Sequence, residues 1–219
     1  ELEETESVYH LFVIKTKYRD ELQEYLKKNN IVTLIHYPIS CNELECFKKL
    51  NFTKLDNSLS SEILSLPMFP ELTNEEIEYT CKIIKQMFEE RKKNIIQFKS
   101  KLTNDKDGIL HCINKLHFET KRVFYIDKFK TGESRGNHAN INTDEYLFTV
   151  NGNLKLEIIN KNNEKKTFYL FKNEGILIEK NHWISFSSIN KDTIIMVLAN
   201  KEYNETKSIS DFDDFLVEE

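Results

Sequence analysis

Glycine is scarce, five residues in 219, in a chain rich in Lys, Asn and Ile. That bias is a background property of the composition, and it lowers the weight any single asparagine carries. The four cysteines, Cys41, Cys46, Cys81 and Cys112, form no CxxC and no Cys/His zinc pattern. They read as buried or idle reduced thiols of a cytoplasmic protein. No apolar run approaches the ~20 residues a membrane helix needs, and no basic-then-apolar signal leads the chain. Positive charge is not in excess either, and a formal net charge of −5 argues against a nucleic-acid or anionic-membrane surface. What is present, 39% hydrophobic and 31% charged residues, is ordinary for a soluble globular protein. The length suits one or two domains. The chain begins at Glu1 with no initiating methionine, and reads as a piece of something longer or a processed product.

The first ninety residues mix strand and helix signals. Residues 9–14 predict a strand of partly alternating pattern. Asp20 is placed to cap a helix, with Gln23 in the capping-box position and Leu22, Tyr25 and Leu26 on the buried face. Asn30 sits where a left-handed residue is wanted after that helix. A second strand is expected over 31–35 and a short helix over 42–50. Thr73 and Glu76 make a capping box for a long helix whose Ile77, Cys81, Ile84 and Phe88 share one face. The helix ends in EERKK, charge without apolar pattern, which places a domain boundary between residues 93 and 94.

Beyond it the helical period is gone. Strands are expected over 95–98, 109–113, 122–126, 154–158, 167–171, 176–178, 183–186 and 193–199, with a turn at 105–108 and a hairpin loop at 160–163. That succession argues for an all-β sandwich or barrel. Polar chemistry concentrates in GESRGNHANINTDEYLFTVNG, from Gly132 to Gly152. His138 and Asn140, two apart on a strand, face the same side. Asn142 to Asp144 supply a turn, and Glu145 begins a returning strand that can aim at the same interior. Three polar side chains converging inside a small barrel need partners or a ligand.

The order glycine, five residues, His138, one residue, Asn140, four residues, Glu145, six residues, glycine resembles the first motif of the cupin β-barrels, with its second histidine replaced by Asn140. KRVFYI at 121–126, RGNHAN at 135–140 and VLANKEYNETKSISDFDDFL at 197–216 resemble the sugar-nucleotide 3,4-ketoisomerase cupins. Departures from that family's pattern stand at Asn140, at Glu145, usually glutamine, and at Glu179-Lys180, usually a proline pair. The resemblance implies an α+β N-terminal segment followed by an all-β cupin, a double-stranded β-helix or jelly-roll barrel, over 94–219. It implies action on dTDP-4-keto-6-deoxyglucose, with His138 and Glu145 handling protons and Tyr125 and Arg135 donating to a developing enolate oxygen. Asn140, Arg135 and Trp183 would contact substrate, although Trp183 is equally suited to the core. Where other cupins place a second-motif histidine, this chain has Phe186, leaving His138 and Glu145 as too few ligands for a first-row metal. No metal is expected.

The first ninety residues resemble the C-terminal small domain of the DegT-type sugar aminotransferases, through VYHLFVIKT, RDELQEYLKKNNI, IHYPIS and EILSLPMFPELTNEEIEYTCKII. That family uses pyridoxal phosphate, whose domain and Schiff-base lysine would lie upstream, so residues 1–93 are expected to hold no cofactor and not to transaminate alone. His36 reads either as a surface histidine or as a sugar contact in the longer enzyme. A 3-keto sugar is what such an enzyme would aminate, which implies a 3-amino-3,6-dideoxy sugar nucleotide for surface polysaccharide. The expected partners are a dTDP-linked keto-deoxysugar and a second copy of the chain, as a homodimer. Two readings stay open: an active isomerase, and a degenerate barrel that binds nucleotide-sugar or scaffolds the aminotransferase.

Overall fold

The computed structural model describes residues 8, 10–47, 58–102, 109–114 and 116–217. Three expectations fall wholly or partly outside them: Tyr9 in the first strand, residues 48–50 of the short helix, and the turn at 105–108. The chain divides into two compact units, Glu1–Glu90 and Arg91–Glu219.

The first unit contains β1 (Phe12–Lys15), α1 (Arg19–Lys28), α2 (Ser58–Glu62), β2 (Ile63–Leu66) and most of α3 (Asn74–Asn94). β1 and β2 pair antiparallel, Phe12 opposite Leu66. Leu22, Leu26, Ile31, Leu64, Ile83 and Met87 form the core, with Tyr25 packed against it. Asp20 does not cap α1. It lies in the first turn, the N-cap is Tyr18, and the Thr16 hydroxyl accepts the Tyr18 N–H instead. At the other end Asn30 is left-handed at φ 60°. The Ile31 N–H reaches the Leu26 carbonyl at 2.9 Å and the Asn30 N–H reaches that of Lys27 at 3.1 Å, a Schellman ending with asparagine in glycine's place.

The strand expected over 31–35 shrinks to one bridge, Leu34 opposite Ser65. The expected short helix is two 3₁₀ turns, Cys41–Glu43 and Glu45–Phe47. Thr73 and Glu76 do form the capping box, at 2.9 and 3.2 Å. The buried face of α3 differs from the expected one, because Ile83 and Met87 carry it beside Ile84 and Phe88, while Ile77 and Cys81 are exposed. Its apolar stripe covers only the second half of the helix.

The second unit comprises β3 (Ile96–Gln97), β4 (Lys99–Leu102), β5 (Ile109–Cys112), β6 (Arg122–Ile126), β7 (Ser134–Asn140), β8 (Glu145–Asn151), β9 (Leu154–Ile159), β10 (Lys165–Leu170), β11 (Glu174–Ile178), β12 (His182–Ser188), β13 (Ile194–Ala199), β14 (Ser208–Ile209) and α4 (Phe212–Val217). Two five-stranded antiparallel sheets, in the orders β3-β11-β8-β13-β6 and β10-β9-β12-β7-β14, enclose the core. Their inner faces contribute Leu147, Leu156, Ile176, Ile184, Phe186 and Ile195. Among the described residues β4 and β5 pair only with each other. Phe98, Ile113, Leu116 and Phe118 cover the outer side of β8 at Tyr146 and Phe148. β8 is therefore buried on both faces, which explains why EYLFTVN shows no clean alternation.

The unit begins earlier than the charge pattern suggested. Arg91 donates to the Tyr169 carbonyl at 2.8 Å and pairs with Glu174, and the two side chains are 5% and 3% exposed. A cation buried in that way belongs to the unit whose carboxylate neutralises it.

Candidate functional site

β6, β7 and β8 meet at a cavity of about 540 Å³, within the ~300–1,000 Å³ usual for small-molecule sites. Each strand contributes by alternation. β6 turns Arg122, Phe124 and Ile126 inward, and β7 turns Gly136, His138 and Asn140. β8 opens on Glu145, with Leu147 two residues on. The β7–β12 register slips at a bulge: Ile184 faces His138, whereas Ser185 faces Gly136, leaving Asn137 unpaired. Gly136 and Asn137 are both left-handed, at φ 81° and 50°. At Gly136 a Cβ would also press on the Ile184 carbonyl and the Phe186 ring, at 3.0 and 3.1 Å. The glycine in RGNHAN is thus a packing requirement of the cavity floor.

A C-terminal strap closes one side. β14 adds to the edge of β7, with Ser208 opposite Asn140, and Tyr203, Thr206, Ser208 and Ser210 line the cavity from it. The β7–β8 turn pins it. Asn142 donates to the Glu205 carbonyl at 3.0 Å and accepts the Lys207 N–H at 2.9 Å, and Ile141 N–H donates to the Lys207 carbonyl. Asp211 then caps α4 through the N–H groups of Asp213 and Asp214. Asp144 fixes the root of β8 by accepting from Asn200 Nδ2 at 2.9 Å and from the Lys180 N–H at 2.8 Å. That last bond explains one departure from the family pattern, since a proline at 180 would have no N–H to give.

The cavity holds one charged pair. Arg122 Nη2 donates to Glu145 Oε1 at 3.1 Å and Nη1 to the Thr206 hydroxyl at 3.3 Å. Burial pushes the Glu145 carboxyl above the ordinary carboxylate range, outweighing the opposing pull of Arg122, His138 and the Asn140 amide. Between the ordinary value and the raised one, the folded protein binds more protons than the unfolded chain, so stability falls as pH rises through that window. Glu145→Gln should flatten that part of the profile, read as urea midpoints against pH.

Of the residues expected to form the site, the structure brings together His138, Asn140 and Glu145. It does not bring in Tyr125, Arg135 or Trp183. Tyr125 is 70% exposed, because alternation on β6 sends Phe124 inward and its neighbour out. Arg135 lies before the bulge and places its guanidinium over the Phe129 ring, 5.6 Å from the centroid. Trp183 is buried with Ala139 against the strap, edge-on to Phe212 at 5.1 Å, and so serves the core. Arg122, Phe124 and Thr206 were missed; the two-residue period in Arg122-Phe124-Ile126 was the signal for the first two. Among the described residues no three His, Cys, Asp or Glu side chains gather as a metal would need. In the first unit His36 faces Ser65 Oγ at 2.8 Å, beside a groove that it lines with Leu34 and Phe69.

Comparison with known proteins separates the two units in the same way. Residues 1–85 match the DegT/DnrJ/EryC1/StrS aminotransferase family. Over 73 residues the chain is 38% identical to dTDP-3-amino-3,6-dideoxy-alpha-D-galactopyranose transaminase from Aneurinibacillus thermoaerophilus, covering 32% of this chain and 20% of that protein. The chain thus spans about a fifth of that relative's length. Over 124 residues it is 29% identical to TDP-4-oxo-6-deoxy-alpha-D-glucose-3,4-oxoisomerase from the same organism, covering 55% of this chain and 88% of that one. Among solved structures, the sugar 3,4-ketoisomerase QdtA of Thermoanaerobacterium thermosaccharolyticum, in complex with TDP, aligns at a TM-score of 0.51 and 28% identity over 56% of this chain and 90% of its own. A histidine-to-asparagine variant of the same enzyme, in complex with TDP-4-keto-6-deoxyglucose, aligns at 0.50, covering 56% and 89% of the two chains. Through residues 91–219 the chain belongs to the family described as WxcM-like, C-terminal, joined to a DegT/DnrJ/EryC1/StrS segment ahead of it.

Proposed function

We propose that the second unit binds a dTDP-linked 4-keto-6-deoxy sugar in the His138 cavity and moves its carbonyl from C4 to C3. The 3-keto product would pass to a pyridoxal phosphate enzyme that aminates C3. The observation that carries this reading is one cavity in which His138, Asn140 and Glu145 converge, in a chain whose relatives over the same residues are 3,4-ketoisomerases. A base removes the C3 proton, the C–H electron pair forms the C3–C4 double bond, and the C4 carbonyl pair moves onto oxygen. C4 then takes up a proton, the C3 hydroxyl gives one up, and a C3 carbonyl remains. No oxidant is consumed. His138 faces the cavity as the proton carrier, with Glu145, whose carboxyl burial pushes upward, beside it. Asn140 can orient a sugar oxygen but cannot titrate.

Pyridoxal phosphate chemistry would fall to a part of the aminotransferase that residues 1–85 do not match, and the isomerisation as written uses no metal. The protein would act as a cytoplasmic homodimer: β6 is the edge of its sheet and turns Val123 and Tyr125 to solvent, as a surface awaiting a second copy would.

A second reading, a barrel that binds nucleotide-sugar without turning it over, is favoured by Asn140. The QdtA variant with asparagine for a histidine still holds its sugar nucleotide. Calorimetry with TDP tests binding, and solvent deuterium uptake at C4 of the 3-keto product formed from TDP-4-keto-6-deoxyglucose tests chemistry. We expect binding with slow uptake, abolished in His138→Ala. A native chain with no affinity for TDP would sink both readings.

A further inference from the structure

We infer that Arg122 holds the reacting sugar oxygen in the His138 cavity; this rests on the function proposed above. Among the described residues lining the cavity, Arg122 is the one Lys or Arg. Its two terminal nitrogens are engaged, by Glu145 and by a long contact to Thr206, but Nε is buried without any hydrogen-bond partner. A buried donor left unmade costs free energy, while each terminal nitrogen keeps a second N–H that a ligand oxygen in the cavity can take. The guanidinium cannot easily turn away to find another acceptor. It lies over the Phe124 ring at 5.2 Å and over that of Tyr203 at 5.6 Å, and the Glu145 carboxylate holds one end.

The neighbourhood decides which oxygen it takes. A diphosphate brought against Arg122 would also meet the Glu145 carboxylate, whereas a ketone oxygen brings no charge until the C3 proton leaves. As negative charge develops on the C4 oxygen, the bond from Arg122 becomes charge-assisted on both sides. Arg122 thus takes the part that the family resemblance gave to Arg135. The Thr206 contact is the strap's share: it restrains the guanidinium from the open side.

The test compares TDP with TDP-4-keto-6-deoxyglucose, by calorimetry, in the native chain, Arg122→Lys and Thr206→Val. Arg122→Lys should leave TDP affinity unchanged and cut the preference for the keto sugar over TDP by roughly 10–100-fold, as expected for a hydrogen bond to a charged group. Deuterium uptake at C4 of the product should fall with it, by about 10²–10³-fold. Thr206→Val, which removes only that restraint, should lose less of the preference than Arg122→Lys. Equal losses for TDP and for the keto sugar would overturn the inference and move Arg122 to the diphosphate. A Thr206→Val protein as impaired as Arg122→Lys would overturn it too, because Arg122 would then only clamp the strap. If Arg122→Lys fails to fold, Arg122→Met, which keeps the length of the stem and carries no donor, makes the same comparison. Loss of TDP binding in the native chain is a separate result and strikes the functional reading itself.

Discussion

Asn140→His should raise the rate of 3,4-isomerisation by about 10²–10⁴-fold, the contribution usual for a positioned acid–base group. Asn140 faces the cavity from β7 on the same side as His138, and its amide stands beside the Glu145 carboxyl. An imidazole there would exchange protons near neutral pH, where an amide does not. The measurement is conversion of TDP-4-keto-6-deoxyglucose to its 3-keto isomer, followed by NMR. The variant should also show a new ionisation between pH 6 and 8 in its rate profile, as an ordinary histidine titrates at roughly pH 6.5. If the native chain already turns over rapidly and the histidine adds nothing, the proton carrier is elsewhere. Glu145→Gln would then be the variant to abolish turnover.

The largest stability effect is expected far from that cavity. Glu174→Ala removes the almost fully buried partner of an almost fully buried Arg91, and with it an acceptor of the Phe171 N–H. Breaking one side of a buried pair strands the other charge and costs about 3–5 kcal/mol. Urea unfolding of Glu174→Ala should show that loss. Arg91→Met combined with Glu174→Leu should lose much less, since paired replacement leaves no stranded charge. A single variant as stable as the native chain would mean that water reaches Arg91.

What could be read from the sequence follows from the range of the interactions involved. Local chemistry was legible: Asn30 at the end of α1 and the Thr73–Glu76 box each depend on neighbours within a few residues. So was the convergence of His138, Asn140 and Glu145, because strand period and one turn decide it. The errors came from longer-range causes. On β6 the expectation took the exposed tyrosine rather than the inward phenylalanine beside it, and missed Arg122, whose partner Thr206 lies on a distant strap. Arg135 was expected in the site from the resemblance alone, and the β7–β12 register slip beside it is invisible until β12 supplies its partners. Trp183 went to the core because Phe212 and Phe215 come back over it. The Arg91–Glu174 pair joins residues far apart in sequence and left only an unremarkable arginine in EERKK.

The strap has a consequence for how this barrel can change its ligand. Tyr203, Thr206, Ser208 and Ser210 form one contiguous cassette, attached to the β7–β8 turn mainly through main-chain groups and Asn142. Attachment of that sort is nearly blind to the side chains the cassette carries. Inherited variation, or a designer, can therefore rewrite a quarter of the cavity's lining in a stretch of eight residues while leaving the barrel's hydrophobic interior untouched. The strap's cavity-lining hydroxyls at Ser208 and Ser210, rather than the cavity floor, are where related chains acting on different sugars should diverge first.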